Sequence, residues 1–155
     1  MFAIKRILYP TDFSSYSNQA YFHAVALAET HGASLTILYV FNPAWEDHDE
    51  RDVGADKEYW QGQLVQIRPT NPDIPVEHVL VQGDPGVEIA QFASKGGFDM
   101  VVMGTHGRTG RERLLMGSVA EKTLRNAPCS VLVVKLPKGT PGTDQSSLKM
   151  AGSSR

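Results

Sequence analysis

The chain has 155 residues and a formal net charge of −2, from 15 basic and 17 acidic side chains. This length fits one ordinary domain that folds without disulfides or metal. The balanced charge argues against a protein that coats nucleic acid. No apolar run approaches the roughly 20 residues of a membrane span. We therefore expect neither nucleic acid nor a membrane as a partner.

Five segments are predicted to be strands. Four are rich in Ile, Leu or Val with little polar alternation, the pattern of parallel strands covered on both faces. These four are residues 4–9, 34–40, 99–103 and 130–135. Residues 76–81, third in chain order, partly alternate and are predicted to be an edge strand.

The first two helices are predicted between these strands. Residues 15–31 place small or apolar side chains on one helical face, and Gly32 follows where a left-handed C-cap is expected. The shared face consists of Ala20, Ala24, Leu27 and Ala28. Residues 50–67 are predicted to be a helix with an acidic first half, because residues 46–58 hold seven acids and two bases. We interpret that half as a solvated face rather than a binding patch.

Two further helices follow. Residues 85–95 are predicted to start after an Asp84 N-cap and to end at Gly96-Gly97. Their predicted buried side consists of Val87, Ile89, Ala90, Phe92 and Ala93. Residues 118–126 begin with Ser118 and carry Glu121 three positions later, which predicts a capping box, and Pro128 ends the helix.

Strands that alternate with helices predict an open parallel α/β sheet with right-handed crossovers. Residues 1–136 are predicted to be the domain, and residues 137–155, rich in Gly, Pro, Ser and Thr, a flexible tail. The single cysteine, Cys129, is interpreted as a small core residue in a reducing compartment. The first ten residues lack the apolar region of a signal peptide, so we expect a cytoplasmic location.

The loops after strands carry the functional signal, because open parallel sheets bind ligands beyond the carboxyl ends of their strands. The loop after the fourth strand holds three glycines within seven residues and several arginines, and it leads to Gly117-Ser118 at a helix N-terminus. Glycines permit close approach or positive φ, and a helix N-terminus favours an anion. The loop residues are Gly104, Gly107 and Gly110, with Arg108, Arg111 and Arg113 against the single acid Glu112. This composition predicts a phosphate-binding loop that is neither a Walker A nor a G-x-G-x-x-G sequence.

Four segments of the chain resemble a known family, the universal stress proteins. The spacing Gly104-x2-Gly107-x9-Gly117-Ser118 is similar to the ATP-binding signature of that family. The stretches 7–14 (ILYPTDFS), 99–107 (DMVVMGTHG) and 128–134 (PCSVLVV) resemble its first strand with acidic turn, its glycine strand and its closing strand. The resemblance covers about residues 2–136 and implies the strand order 3-2-1-4-5 with helices on both faces.

The resemblance also implies an ATP site. Its lining would comprise Pro10, Thr11, Asp12, Val40, Met103, Gly104, Gly107, Arg108, Gly117, Ser118 and Val119. Asp12 would contact the nucleotide or help hold Mg²⁺, and the alternative is that it only caps the following helix. Arg108 and Arg111 either pair with phosphates or are solvated, and both interpretations stay open. His106 is interpreted as a loop residue rather than a catalytic one.

We therefore expect an ATP-dependent stress or signalling module. A slow ATPase, or a phosphoryl- or nucleotidyl-transfer enzyme using the same pocket, is the alternative, and a structural dimer with a vestigial pocket is a third. A homodimer is expected through the edge strand that runs from Ser130 to Lys135, because an uncovered apolar edge is normally paired. The competing possibility is that the tail covers this edge.

Overall fold

The computed structural model describes residues 2–45, 53–107 and 116–136. Its strands form one parallel sheet in the order β3-β2-β1-β4-β5, which confirms the expected topology. The strands are β1 (Arg6–Pro10), β2 (Ser34–Phe41), β3 (Val76–Gln82), β4 (Met100–Gly104) and β5 (Ser130–Val134). The partly alternating strand β3 lies at one edge, as predicted, and β5 lies at the other.

Four α-helices connect the described strands. They are α1 (Ser15–His31), α2 (Val53–Leu64), α3 (Pro85–Gly96) and α4 (Ser118–Asn126), and a 3-10 turn, Pro43–Trp45, follows β2. Ser14 caps α1 by accepting a hydrogen bond from the Ser17 amide, and Gly32 ends it at φ 64°. None of the helices in the described part of the chain is long and apolar enough to cross a membrane.

The sheet separates two apolar layers. Ile7 and Tyr9 of β1 face a core that includes the alanine face of α1, whereas Leu8 between them faces a second core with Ile89 of α3 and Ala120 of α4. Alternate residues of a strand point to opposite faces, so helices cover both sides. This arrangement leaves the carboxyl ends of the strands free to form a site.

Some predicted boundaries and environments are wrong. Strand β1 starts at Arg6 rather than at residue 4, and α2 ends at Leu64 rather than at residue 67. Residues 50–52, where α2 was predicted to begin, lie outside the described residues. Val87 is 45% exposed, because Pro85 and Gly86 take the buried positions in the first turn of α3.

The predicted capping box at Ser118 is also wrong. Gly117 occupies the N-cap position with extended backbone, at φ −71° and ψ 162°. Its carbonyl accepts the amide of Glu121 at 3.0 Å, so Ser118 is already the first helical residue. The helix therefore begins one residue earlier than the Ser-x-x-Glu pattern suggests.

Cys129 is half-buried. Desolvation by this burial, with a smaller contribution from Asp99, raises the pKa of the thiol. A raised pKa disfavours the thiolate, which is the nucleophilic form. The geometry thus suits a packed residue.

Candidate functional site

A cavity opens at the carboxyl edge of the sheet, beside β1, where the strand order reverses. Together with its open mouth it encloses about 800 Å³ of empty space. The ends of β1, β2 and β4 and the first turns of α3 and α4 form its walls. The lining comprises Pro10, Thr11, Asp12, Ser17, Tyr39, Val40, Pro85, Ile89, Met103, Gly104, His106, Gly107, Gly117, Ser118, Val119 and Ala120.

Every predicted site residue except Arg108 lies in this lining. Arg108 lies outside the described residues, as do Gly110, Arg111 and Arg113. The structure thus brings together segments from the first, second and fourth strands and from the start of α4. The roles of these residues towards a nucleotide stay predictions.

Asp12 belongs to a tight turn between β1 and α1. Its Oδ1 accepts a hydrogen bond from the Ser14 amide at 3.0 Å, and Thr11 Oγ1 accepts one from the Phe13 amide at 3.1 Å. The N-cap of α1 is Ser14, so the alternative interpretation of Asp12 as the helix cap is wrong. The turn places its carboxylate in the cavity wall.

The glycines of the site make close approaches to their neighbours, and none of them has positive φ. A Cβ on Gly104 would lie 2.7 Å from the backbone oxygen of Tyr16, and one on Gly107 would lie 2.6 Å from Asp12 Oδ2. A Cβ on Gly117 would lie 3.2 Å from the Thr105 carbonyl oxygen. Within the described chain, positive-φ glycines occur only elsewhere, so of the two properties that glycine permits these three use close approach. Gly110 lies outside the described residues.

The first turn of α4 faces the cavity. The Gly117 amide donates to the Thr105 carbonyl at 2.7 Å, and the Thr105 amide donates to the Val134 carbonyl at 3.1 Å. These two bonds fix the helix start against the ends of β4 and β5. A helix leaves the first N–H groups without intrahelical acceptors, and glycine at the N-cap has no side chain to accept from them. The positive end of the helix dipole therefore points into this part of the site.

One wall of the cavity is apolar, and the sequence predicts only some of its residues as part of the site. Val40, Ile89 and Met103 are each at most 6% exposed, and Pro85 closes the same side. The sequence does not mark Pro85 and Ile89 as site residues, because their pattern in α3 also fits a helix that only packs against the sheet. The loop after β3 ends at the same edge of the sheet as those after β1 and β4, and the same reasoning would have identified it.

His106 also lies in the lining, although it was interpreted as a loop residue only. Its Nδ1 lies 3.1 Å from Thr105 Oγ1, and its ring lies 5.2 Å from that of Tyr16. Among the residues that the structure describes, no cluster of three or more His, Cys, Asp or Glu side chains is arranged to hold a metal.

Comparison with known proteins identifies the family. The model of the universal stress protein family matches residues 3–135. A universal stress protein of Methanocaldococcus jannaschii is 38% identical over 146 residues, which are 86% of this chain and 84% of that protein.

Solved structures of related proteins have the same fold as this chain. A second M. jannaschii universal stress protein is 28% identical over 153 residues, which are 84% of this chain and 94% of that protein. Its solved structure has a TM-score of 0.72 at 29% identity and covers 87% of this chain and 98% of that one. The structure of a universal stress protein in complex with cAMP has a TM-score of 0.65 at 26% identity. The match covers 85% of this chain and 97% of that one. The match along the sequence and the shared topology lead to one conclusion: this chain belongs to the universal stress protein family.

Proposed function

We propose that this universal stress protein binds ATP with Mg²⁺ in the cavity at the carboxyl edge of the sheet. Nucleotide occupancy would then select the conformations or partners through which it acts in a stress or signalling response. The observation that carries this proposal is the start of α4, which has glycine at its N-cap and faces a cavity beside Asp12.

The polar side of the cavity suits phosphates. Gly107 and Gly117 leave room for close approach, and the first N–H groups of α4 offer donors to an anion. Ser118 adds a hydroxyl at the same helix start. Arg108 would add a charge partner if it faces the phosphates.

The apolar side suits an adenine ring. Binding sites for small molecules combine an apolar wall with a few convergent polar groups, and Val40, Pro85, Ile89 and Met103 form such a wall. Met103 and Gly104 would lie beside the ribose and base. If the adenine ring lies between these side chains, the phosphates of the nucleotide are directed towards α4.

Asp12 is the acidic side chain in the described lining. Its carboxylate oxygen is a ligand of the kind that Mg²⁺ prefers, usually together with phosphate oxygens and water. When bound, the cation would offset the negative charge of the triphosphate. The Asp12 turn would hold the carboxylate in place for that contact or for a nucleotide hydroxyl.

The related protein in complex with cAMP supports an adenine nucleotide as the ligand class. ATP itself is proposed from the glycine signature and from the room beside α4. The proposed location is the cytoplasm, where ATP is available and a lone cysteine stays reduced.

Two measurements test the proposal. Mass spectrometry of the denatured purified protein should reveal copurified adenine nucleotide. Calorimetry after nucleotide removal should show saturable binding of ATP that strengthens with Mg²⁺, and GTP serves as the comparison ligand. The absence of binding heat with ATP, ADP and AMP at millimolar concentration would contradict the proposal.

Slow ATP hydrolysis is a second candidate, favoured by the position of His106 in the lining. Histidine is a common proton-transfer group. Steady ADP release beyond one equivalent per site, abolished by His106→Ala, would support an enzyme. Stoichiometric binding of ATP without ADP release would instead support a protein that binds ATP and does not hydrolyse it.

A further inference from the structure

Phe13 adopts a backbone conformation that is unusual for its residue type. Its φ is 64°, and it is the one non-glycine residue with positive φ in the described part of the chain. Positive φ costs free energy for a bulky side chain. Such conformations persist only where surrounding contacts impose them, and they concentrate at functional sites.

Two hydrogen bonds bracket Phe13. Its own amide donates to Thr11 Oγ1 at 3.1 Å, and the next amide, of Ser14, donates to Asp12 Oδ1 at 3.0 Å. Thr11 is buried, at 5% exposure, and its Oγ1 also lies 3.2 Å from Ser17 Oγ. The turn is thus tied to buried groups on both sides of Phe13.

The Phe13 ring is held by two other aromatic rings. It stacks on Trp60 of α2 at 5.1 Å between centroids and 24° between planes. It also contacts Tyr39 of β2 at 5.1 Å and 56°, and Tyr39 lies 5.3 Å from Trp60. We call Phe13, Tyr39 and Trp60 the aromatic cluster. Its ring contacts stabilise the pairs beyond simple burial and offset the cost of the positive φ.

Asp12, the residue before Phe13, depends on this turn. Its Oδ1 is bound to the Ser14 amide, and its Oδ2 lies 2.6 Å from the position that a Cβ on Gly107 would take. If residue 13 returned to negative φ, the direction of the chain between Asp12 and Ser14 would change. The carboxylate would then lose its bond to Ser14 and its place in the cavity wall.

We propose that Phe13 is a positioning residue: the aromatic cluster holds its positive φ, and this backbone turn presents the Asp12 carboxylate to the cavity. The effect on ligand affinity rests on the proposed function. The effect on the turn concerns the ligand-free protein and is tested separately.

Replacements at residue 13 separate the ring from the backbone. Phe13→Tyr keeps the ring, Phe13→Ala removes the ring and disfavours positive φ, and Phe13→Gly removes the ring but tolerates positive φ. Phe22→Ala is the matched control, because Phe22 is 65% exposed on α1. Thermal unfolding shows that each variant is folded.

The first readout is the exchange rate of the Ser14 amide, measured by NMR without ligand. Phe13→Ala should accelerate exchange by roughly tenfold, the factor that corresponds to the cost of positive φ in a non-glycine residue. Phe13→Tyr and Phe22→Ala should match the parent protein, and Phe13→Gly should lie closer to the parent than Phe13→Ala does. If Phe13→Ala fails to fold, Trp60→Leu, which removes one side of the cluster, should accelerate Ser14 exchange in its place.

The second readout is the calorimetric affinity for ATP with Mg²⁺. It should follow the same order, with a loss of roughly tenfold for Phe13→Ala. A core contact with no positioning role would make Phe13→Ala and Phe13→Gly equal in both readouts, and that result would overturn the inference. Parent-like Ser14 exchange in Phe13→Ala would also overturn it. If the parent protein binds no nucleotide but the exchange order holds, the proposed function fails while the positioning of the turn stands.

Discussion

At the scale of single residues, Gly104 and Gly107 both make close approaches, but to different kinds of neighbour. A Cβ on Gly104 would meet the backbone of Tyr16, which belongs to α1 and cannot move alone. A Cβ on Gly107 would meet the end of the Asp12 side chain, which can rotate away. One glycine therefore serves the fold, and the other leaves room for a site residue.

Alanine at each position should separate the two effects. Gly104→Ala should lower the free energy of unfolding by about 1–3 kcal/mol through overpacking. Gly107→Ala should leave unfolding nearly unchanged but weaken ATP binding by about tenfold, the loss of one charge-assisted contact. Denaturant unfolding and calorimetry on both variants check this. The prediction would be contradicted if Gly107→Ala lowered the free energy of unfolding while Gly104→Ala weakened only the binding of ATP.

Tyr9 introduces a pH dependence of stability. It is 1% exposed, and its hydroxyl donates to the Ser17 carbonyl at 2.6 Å. Burial raises the pKa of Tyr9 above its ordinary value, because the phenolate would be desolvated. The group is neutral in both states below the unfolded pKa of about 10. Above it only the unfolded chain ionises readily, so stability falls with rising pH.

Tyr9→Phe tests this linkage. At pH 7 it should lower the free energy of unfolding by about 1 kcal/mol through the lost hydrogen bond. The difference from the parent should shrink above about pH 10, because phenylalanine does not titrate. Urea unfolding at pH 7 and at alkaline pH measures both quantities. A constant difference across this range would show that Tyr9 titrates normally.

At the scale of secondary-structure elements, α3 begins with a cap that the sequence predicts. Asp84 has extended backbone, and its side chain accepts a hydrogen bond from the Val87 amide at 3.2 Å. Its Oδ2 also lies 3.8 Å from Lys122 Nζ of α4. Exposed ion pairs contribute little, so the cap is expected to dominate.

Asp84→Ala should cost about 1 kcal/mol of unfolding free energy, while Asp84→Asn should keep most of the cap. Lys122→Ala is the control for the ion pair and should be nearly neutral. Chemical unfolding of the three variants decides between the two contributions. A loss in Lys122→Ala equal to that in Asp84→Ala would assign the effect to the ion pair instead.

At the scale of the whole molecule, β5 ends the sheet. Its residues Val131, Leu132 and Val133 are only half-buried in the single chain. The Val134 carbonyl accepts a bond from Thr105 on the β4 side, and backbone groups of alternate strand residues point the same way. The amides of Val131 and Val133 therefore point to the outer edge, and we propose that a second copy pairs there.

Val133→Pro tests the proposed homodimer, because proline removes an outward N–H and is tolerated at sheet edges. The parent chain should scatter light as a dimer at micromolar concentration, and Val133→Pro should be a folded monomer. Leu132→Pro is the contrasting control, since it removes an amide on the β4 side and should destabilise the sheet itself. A monomeric parent chain would contradict the proposal, and a dimer only in a chain ending at Pro137 would show that the tail covers the edge.

The local signals of the sequence predicted much of this protein. The alternation of strands with helices, the bounds of α1 and the cap at Asp84 follow from interactions between neighbouring residues. Partial polar alternation in β3 predicted its exposure at an edge. The loops after β1 and β4 were predicted to form a site because chain direction in a parallel sheet brings them to one edge. The strand order came from the family resemblance, since periodicity alone does not specify which strands pair.

Only the tertiary structure decided the rest. Pro85 and Ile89 complete the apolar wall because α3 packs beside β2 and α4, a contact between distant parts of the chain. Gly117 rather than Ser118 is the N-cap, because the Thr105 carbonyl draws its amide to the end of β4. The positive φ of Phe13 depends on rings from β2 and α2. Sequence patterns record local preference, whereas each of these features is imposed by side chains and backbone groups that only folding brings together.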